Sequence, residues 1–249
     1  QVLPRTGGAI TFDRVSFGYH PDRSIIHDFS AAIAAGEKVA LVGPTGSGKT
    51  TIAHLLARFY DVESGRILID GTDIRTVDSH DLHHHIGIVP QDGFIFAGTV
   101  RENILLGRAL EEAALQRLLE DAQVASFVRQ LPTGIDAVLS HGGGNLSAGQ
   151  RQLLAFARLM ARDPQIVILD EATASIDPET EKLVQAALRH LFRGRTALII
   201  AHRLATLRDV DRILVLKAGR LVESGTHAEL MAGETFYRHL YMAQQAVLP

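Results

Sequence analysis

Gly43, Gly48, Lys49 and Thr50 stand at the spacing G-x-x-x-x-G-K-[ST], and those residue types together can hold a polyphosphate. Glycines permit a tight turn in which successive N–H groups point at one anion. Pro44, Thr45, Gly46 and Ser47 fill the loop between them, and Thr51 follows. A helix opening at Thr50 adds the partial positive charge of its N-terminus. Lys49 supplies a point charge for the outer phosphates, and the Thr50 hydroxyl suits Mg²⁺. The plainer alternative is a glycine-rich strand-to-helix turn that binds nothing. The apolar strand at 39–42 before the loop, and a helix face of Ile52, Leu55, Leu56 and Phe59 after it, favour phosphate. The pattern implies a site for a nucleoside triphosphate.

A second group lies at Ile166-Val167-Ile168-Leu169-Asp170-Glu171, an apolar strand ending in two carboxylates. Ligands of open α/β sheets gather at the carboxyl ends of strands, so both acids are expected to face the loop. Asp170 suits Mg²⁺, while Glu171 is placed to orient and deprotonate an attacking water. Alone, the pair could instead cap the helix that begins near Pro178.

Just upstream, Leu146-Ser147-Ala148-Gly149-Gln150 resembles the signature of the ATP-binding cassette (ABC) ATPases, usually L-S-G-G-Q, and the resemblance covers nearly the whole chain. In that family the signature sits at a helix N-terminus and grips the γ-phosphate of ATP held by a second subunit. Ser147 is a good cap for such a helix, and the free N–H groups behind it favour an anion. The resemblance assigns further residues in chain order. Tyr19 matches the aromatic that stacks on adenine, its alternative being a packed core tyrosine. Gln91 matches the glutamine that touches Mg²⁺ and the attacking water. Asp177 matches the aspartate that crosses the dimer interface, and His202 the switch histidine at the γ-phosphate.

Residues 94–104, with Glu102-Asn103-Ile104, and residues 223–230 resemble stretches of exporter-type members. The resemblance therefore implies an α/β P-loop NTPase with a RecA-like parallel core, an antiparallel β lobe and a helical signature subdomain at about 92–162. It implies the nucleotide-binding domain of an exporter-type ABC transporter, with ATP and Mg²⁺ as cofactors and hydrolysis driving transport. Its partners would be a second such domain, identical or homologous, and a fused transmembrane domain with its coupling helices. That domain is expected upstream of residue 1, and the cassette itself on the cytoplasmic face of the membrane. Other readings are a soluble ABC ATPase of DNA repair or translation, and an exporter fold working in the import direction. Repair members insert a long coiled coil before the signature, and translation members carry two cassettes, neither of which is found here.

Two positions depart from the family pattern. Ala148 replaces a glycine, which is harmless in ordinary helical geometry but costly at positive φ; the helical case is expected. His141 stands near where exporters carry a glutamate facing the coupling helices. The run His83-His84-His85 suggests a metal, yet adjacent residues on a helix point in different directions.

Stepping along the 249 residues, the elements that must hold these groups can be read from periodicity. Residues 10–17 alternate apolar and polar with a break near Arg14. Residues 65–69 form another strand before the turn Asp70-Gly71. Residues 86–89, 166–169 and 196–200 are short apolar runs, the mark of buried parallel strands. Helical faces appear in Leu115, Leu118, Leu119, Ala122 and in Leu153, Phe156, Ala157, Met160. Strands at 212–216 and 220–223 flank Ala218-Gly219, and 226–246 reads as two short helices. The net charge is −3 with both signs mixed, which argues against a nucleic-acid surface. No cysteine is present, and no apolar run approaches the roughly 18 residues of a membrane span. The start lacks the apolar core of a signal peptide, and the missing initiator methionine suggests a piece of a longer chain.

Overall fold

The computed structural model describes residues 2–247 apart from 4, 21, 90–92, 171–176, 202–206 and 208. In chain order the first elements are β1 (Ile10–His20), β2 (Arg23–Ile33), β3 (Lys38–Val42), α1 (Lys49–Leu56), β4 (Ser64–Ile69), β5 (Thr72–Asp73), α2 (Ser79–His85) and β6 (Ile86–Val89). Next come β7 (Gly98–Thr99), α3 (Val100–Leu105), α4 (Glu112–Asp121), α5 (Ala125–Gln130), β8 (Val138–Leu139) and α6 (Ala148–Arg162). They are followed by β9 (Ile166–Asp170), α7 (Pro178–Phe192), β10 (Thr196–Ile200), β11 (Arg212–Lys217), β12 (Arg220–Gly225), α8 (His227–Ala232) and α9 (Phe236–Val247).

Contacts divide the chain into two units: one from Gln1–Ile88, Gln165–Glu171 and Gly194–Pro249, the other from Val89–Pro164 and Ala172–Arg193. The first unit carries a six-stranded sheet in the order β12-β11-β3-β10-β9-β6, and a four-stranded sheet in the order β2-β1-β4-β5. In the large sheet β11, β3, β10 and β9 run parallel, and β12 returns antiparallel to β11. The α/β class with a parallel core and an antiparallel sheet is the expected one. Both sheets and α1 share one hydrophobic core, including Phe12, Phe29, Val39, Leu41, Ile52 and Leu198.

The break near Arg14 is a bulge: Arg14 has φ +50°, and the register with β2 shifts between Phe12 and Val15. The strand then continues to His20. Both expected hairpins form, with Asp70 (φ 48°) and Ala218 (φ 47°) opening their two-residue turns. One expectation needs correction. Helix α1 ends at Leu56 because Arg58 turns into the left-handed region (φ 53°), so Phe59 leaves the apolar face and stands 53% exposed.

In the second unit α6 packs against α3, α4 and α7. Leu153, Phe156 and Ala157 are buried, as are Leu115, Leu119 and Ala122, while Leu118 and Met160 lie at the margin. Helix α7 starts at Pro178 as expected, but its cap is Asp177, whose carboxylate accepts from the Thr180 N–H at 2.9 Å.

Candidate functional site

The glycine loop follows β3 and passes into α1 with Gly48 as the capping position. No side chain caps this helix and its first turn holds no acid. Among the described residues, the N–H groups of Gly46, Gly48, Lys49 and Thr50 have no acceptor. The Ser47 hydroxyl is also buried without a partner. A helix start with free amides and no carboxylate has the polarity of an anion site. The residues present thus fit a polyphosphate: four backbone donors and a hydroxyl gather at one helix start, and among the described residues none of them has a partner.

Lys49 is 7% exposed and donates from Nζ to the carbonyl oxygens of Gly43 at 2.8 Å and Pro44 at 3.1 Å. Burial lowers its pKa from the ordinary lysine value, and the nearby Asp170 carboxylate opposes that shift. The Thr50 side chain faces solvent. Leu41, Ile200 and Asp170 form one row across β3, β10 and β9, each paired with the next. Asp170 therefore ends its strand level with the exit of β3 into the loop. An exposed hydroxyl on α1 and a carboxylate at the end of β9 are hard oxygen donors of the kind Mg²⁺ takes. Glu171 and His202, just beyond these strand ends, and Gln91, beyond β6, lie outside the described residues.

The loop is supported from behind by the β11–β12 turn. The Gly219 N–H donates to the Ser47 carbonyl at 3.0 Å, and the Gly219 carbonyl accepts from His27 N–H at 3.0 Å. A Cβ on Gly219 would lie 1.8 Å from the Ile25 oxygen, and one on Gly43 would lie 2.2 Å from the Leu216 oxygen. No side chain larger than hydrogen fits either position. Sequence reading misses this support because nothing local links residue 219 to residue 47.

Tyr19, near the end of β1, is 40% exposed and so is no core tyrosine. Its ring meets Phe17 edge-on at 5.1 Å and Tyr60 at 5.0 Å, and its hydroxyl has a long contact of 3.4 Å with Thr51 Oγ1.

In the second unit, Ser147 caps α6. Its Oγ accepts from Gln150 N–H at 3.1 Å, and its own N–H donates to Gln150 Oε1 at 2.9 Å. Such a capping box fixes the start of the helix. Ala148 is the first helical residue with φ in the ordinary negative range, so it carries no strain of the left-handed kind. Ser147 and Ala148 are exposed, Leu146 and Gly149 buried. Among the described residues the N–H groups of Ala148 and Gly149 have no acceptor. Asp177 titrates below the usual carboxylate value, chiefly through the Thr180 backbone N–H. The His141 ring lies edge-on to the exposed Phe94 at 5.5 Å.

The three adjacent histidines have separate surroundings. His83 Nε2 lies 3.1 Å from the Ala57 oxygen, His85 Nδ1 lies 2.6 Å from the Gln165 side chain, and His84 meets the His80 ring. Among the described residues no group of three or more His, Cys, Asp or Glu side chains is arranged to hold a metal ion. No helix among them is long and apolar enough to cross a membrane.

Residues 26–174 match the family described as ABC transporter. A fatty acid ABC transporter ATP-binding/permease protein of Mycobacterium bovis is 47% identical over 97% of this chain and 38% of its own length. An ATP-dependent lipid A-core flippase of Burkholderia thailandensis is 45% identical over 98% of this chain and 41% of its own. The chain thus spans less than half the length of these curated relatives. Among solved structures, a bacterial Atm1-family ABC exporter with ATP bound superposes with a TM-score of 0.90 at 43% identity, covering 99% of this chain and 43% of that one.

Proposed function

Because the chain belongs to the ABC transporter family, we propose that it is the nucleotide-binding domain of an exporter-type transporter, hydrolysing ATP to drive substrate across a membrane. One observation carries this reading. Among the described residues, amides without an acceptor stand at an acid-free helix start beside a buried lysine, which feels the charge of Asp170 at the end of β9.

In this reading the loop from Gly43 to Thr51 cradles the phosphates, and Lys49 exchanges its own loop's carbonyls for phosphate oxygens. Thr50, Gln91 and Asp170 hold Mg²⁺, which when bound neutralises charge on the phosphate oxygens. Glu171 orients and deprotonates the attacking water, His202 contacts the γ-phosphate, and Tyr19 stacks on the adenine. The stretch from Leu146 to Gln150 serves the nucleotide of a second cassette, with Asp177 at the interface between the two. Relatives named as ATP-binding/permease proteins support a membrane domain in the same polypeptide, whose coupling helices meet the region of His141. The cassette then works at the cytoplasmic face.

Phosphate release by the 249-residue chain with ATP and Mg²⁺ tests the reading. Glu171→Gln is expected to retain ATP binding while turnover falls about 10²- to 10⁴-fold. Near-normal turnover in that variant removes Glu171 from the chemistry.

A further inference from the structure

Tyr19 is confined by two rings that stand nearly perpendicular to it, Phe17 at 85° and Tyr60 at 83°. Phe17 and Tyr60 also touch each other, with centroids 5.6 Å apart, so the three rings close a triangle. Phe17 is buried in the core, whereas Tyr60 is 46% exposed, lies 6.4 Å from the His54 ring and sits in a stretch whose backbone is fixed on both sides. That backbone is well anchored. Arg58 donates from Nη1 to the carbonyls of Ile74 at 2.9 Å and Val77 at 2.7 Å, and pairs with Asp61 at 3.1 Å. On either side of Tyr60, Phe59 N–H donates to the His54 oxygen at 2.9 Å and Glu63 N–H to the Ser16 oxygen at 3.0 Å.

We infer that Tyr60 is a positioning residue for the nucleotide base: it holds the Tyr19 ring perpendicular to its own, so that the stacking orientation is set before nucleotide arrives. The inference rests on the reading that Tyr19 stacks on the base. Perpendicular packing against two neighbours restricts rotation of the Tyr19 ring, and at 40% exposure the residue still offers surface to a flat heterocycle. An aromatic platform already held in its bound orientation loses less freedom on binding than a loose one. The arrangement also links the two ends of the site. Thr51, at the start of α1, contacts the Tyr19 hydroxyl, and Tyr60 follows the end of the same helix. Phosphate cradle and base platform are thus referred to one rigid element. Sequence reading overlooks Tyr60 because it follows a helix as one of two adjacent aromatics; the Phe59-Tyr60 pair is the only local signal.

The test compares ATP with inorganic tripolyphosphate, which has no base to stack. Tyr60→Ala is expected to weaken ATP binding by about 2- to 12-fold, the range for one edge-to-face pair, and to leave tripolyphosphate binding unchanged. Tyr60→Phe keeps the ring and should keep the affinity. The chain has no tryptophan, so Tyr19→Trp provides a single fluorescent reporter in the platform itself. Adding Tyr60→Ala to that variant should lower its emission anisotropy in the absence of nucleotide. If Tyr60→Ala binds ATP as tightly as the parent while Tyr19→Ala binds it weakly, the inference fails and the stacking reading stands. If Tyr19→Ala has no effect either, the stacking reading itself fails. Equal weakening toward ATP and tripolyphosphate overturns the positioning role in favour of general damage to the loop.

Discussion

Lys49 Nζ donates to the Gly43 carbonyl oxygen at 2.8 Å, turning the charge of the loop back onto the loop's own first residue. A buried ammonium satisfied by two neutral carbonyls forfeits hydration, as its lowered pKa reflects, so it stabilises the fold little. Lys49→Met is therefore expected to leave the melting temperature unchanged or slightly raised. ATP affinity should fall at least ~10-fold, the low end for losing a charged hydrogen bond. Nucleotide titration and thermal melting on one sample separate the two effects, and an affinity within twofold of the parent would sink the phosphate role.

The exposed start of α6 makes a second expectation specific. Glu171→Gln with ATP and Mg²⁺ should shift the chain from monomer toward dimer by light scattering, and Ser147→Arg in that background should abolish the shift. Ser147→Ala serves as the control, since it loses the cap at a cost of about 1 kcal/mol without adding bulk. Ala148→Gly is expected to change little, because Ala148 already has helical geometry. Dimerisation that survives Ser147→Arg would show that this helix start takes no part in the pairing.

Asp70 gives a pH-dependent expectation. Burial raises its pKa, but donation from the Gly8 N–H, the Thr6 hydroxyl and the Ala9 N–H outweighs this, and the net shift is downward. The stability it contributes is present above the unfolded value of about 3.9 and is lost as pH falls through the lower folded value. Asp70→Asn suits the left-handed turn equally well; it removes the charge and turns one of the two accepting oxygens into an NH₂ donor. It should cost about 1–3 kcal/mol at pH 7, with the difference closing below pH ~4. Urea denaturation across that range checks it; a difference that persists unchanged at pH ~3 would exclude the carboxylate as its source.

Glu223, on β12, caps a helix that starts well downstream. Its carboxylate accepts from Phe236 N–H at 2.6 Å and Tyr237 N–H at 2.9 Å, at the positive end of α9. Glu223→Ala should lower stability by about 1–3 kcal/mol and speed hydrogen exchange in α9, where Tyr237 is buried. Exchange in α1 should not change. Uniform acceleration throughout the first unit would mean that the cap has no local role.

What could be read in advance follows from how local each signal is. The parallel strands were legible because each is a short apolar run, and the hairpins because Asp70-Gly71 and Ala218-Gly219 suit tight turns. Strand β2 was not, since its buried residues Ile26, Phe29 and Ile33 are spaced by three and four. The positive φ at Asp28 and the shifted register with β1 displace the period-2 pattern, leaving one that mimics a helix. Lys49, Thr50 and Asp170 could be singled out from motif spacing. The orphaned Ser47 hydroxyl, the Tyr60 wall and the Glu223 cap depend on contacts between distant segments, which no window of sequence contains.

The turn that props the glycine loop lies between β11 and β12, the last strands described. A nascent chain ending before β11 would have its whole nucleotide motif outside the ribosome, yet without the Leu216 and Gly219 backbone against which the loop is moulded. Loop closure over so long a separation comes late in folding. On the reading proposed above, the grip on ATP is complete only once β11 and β12 have been made, and a product truncated before them would carry the motif without it.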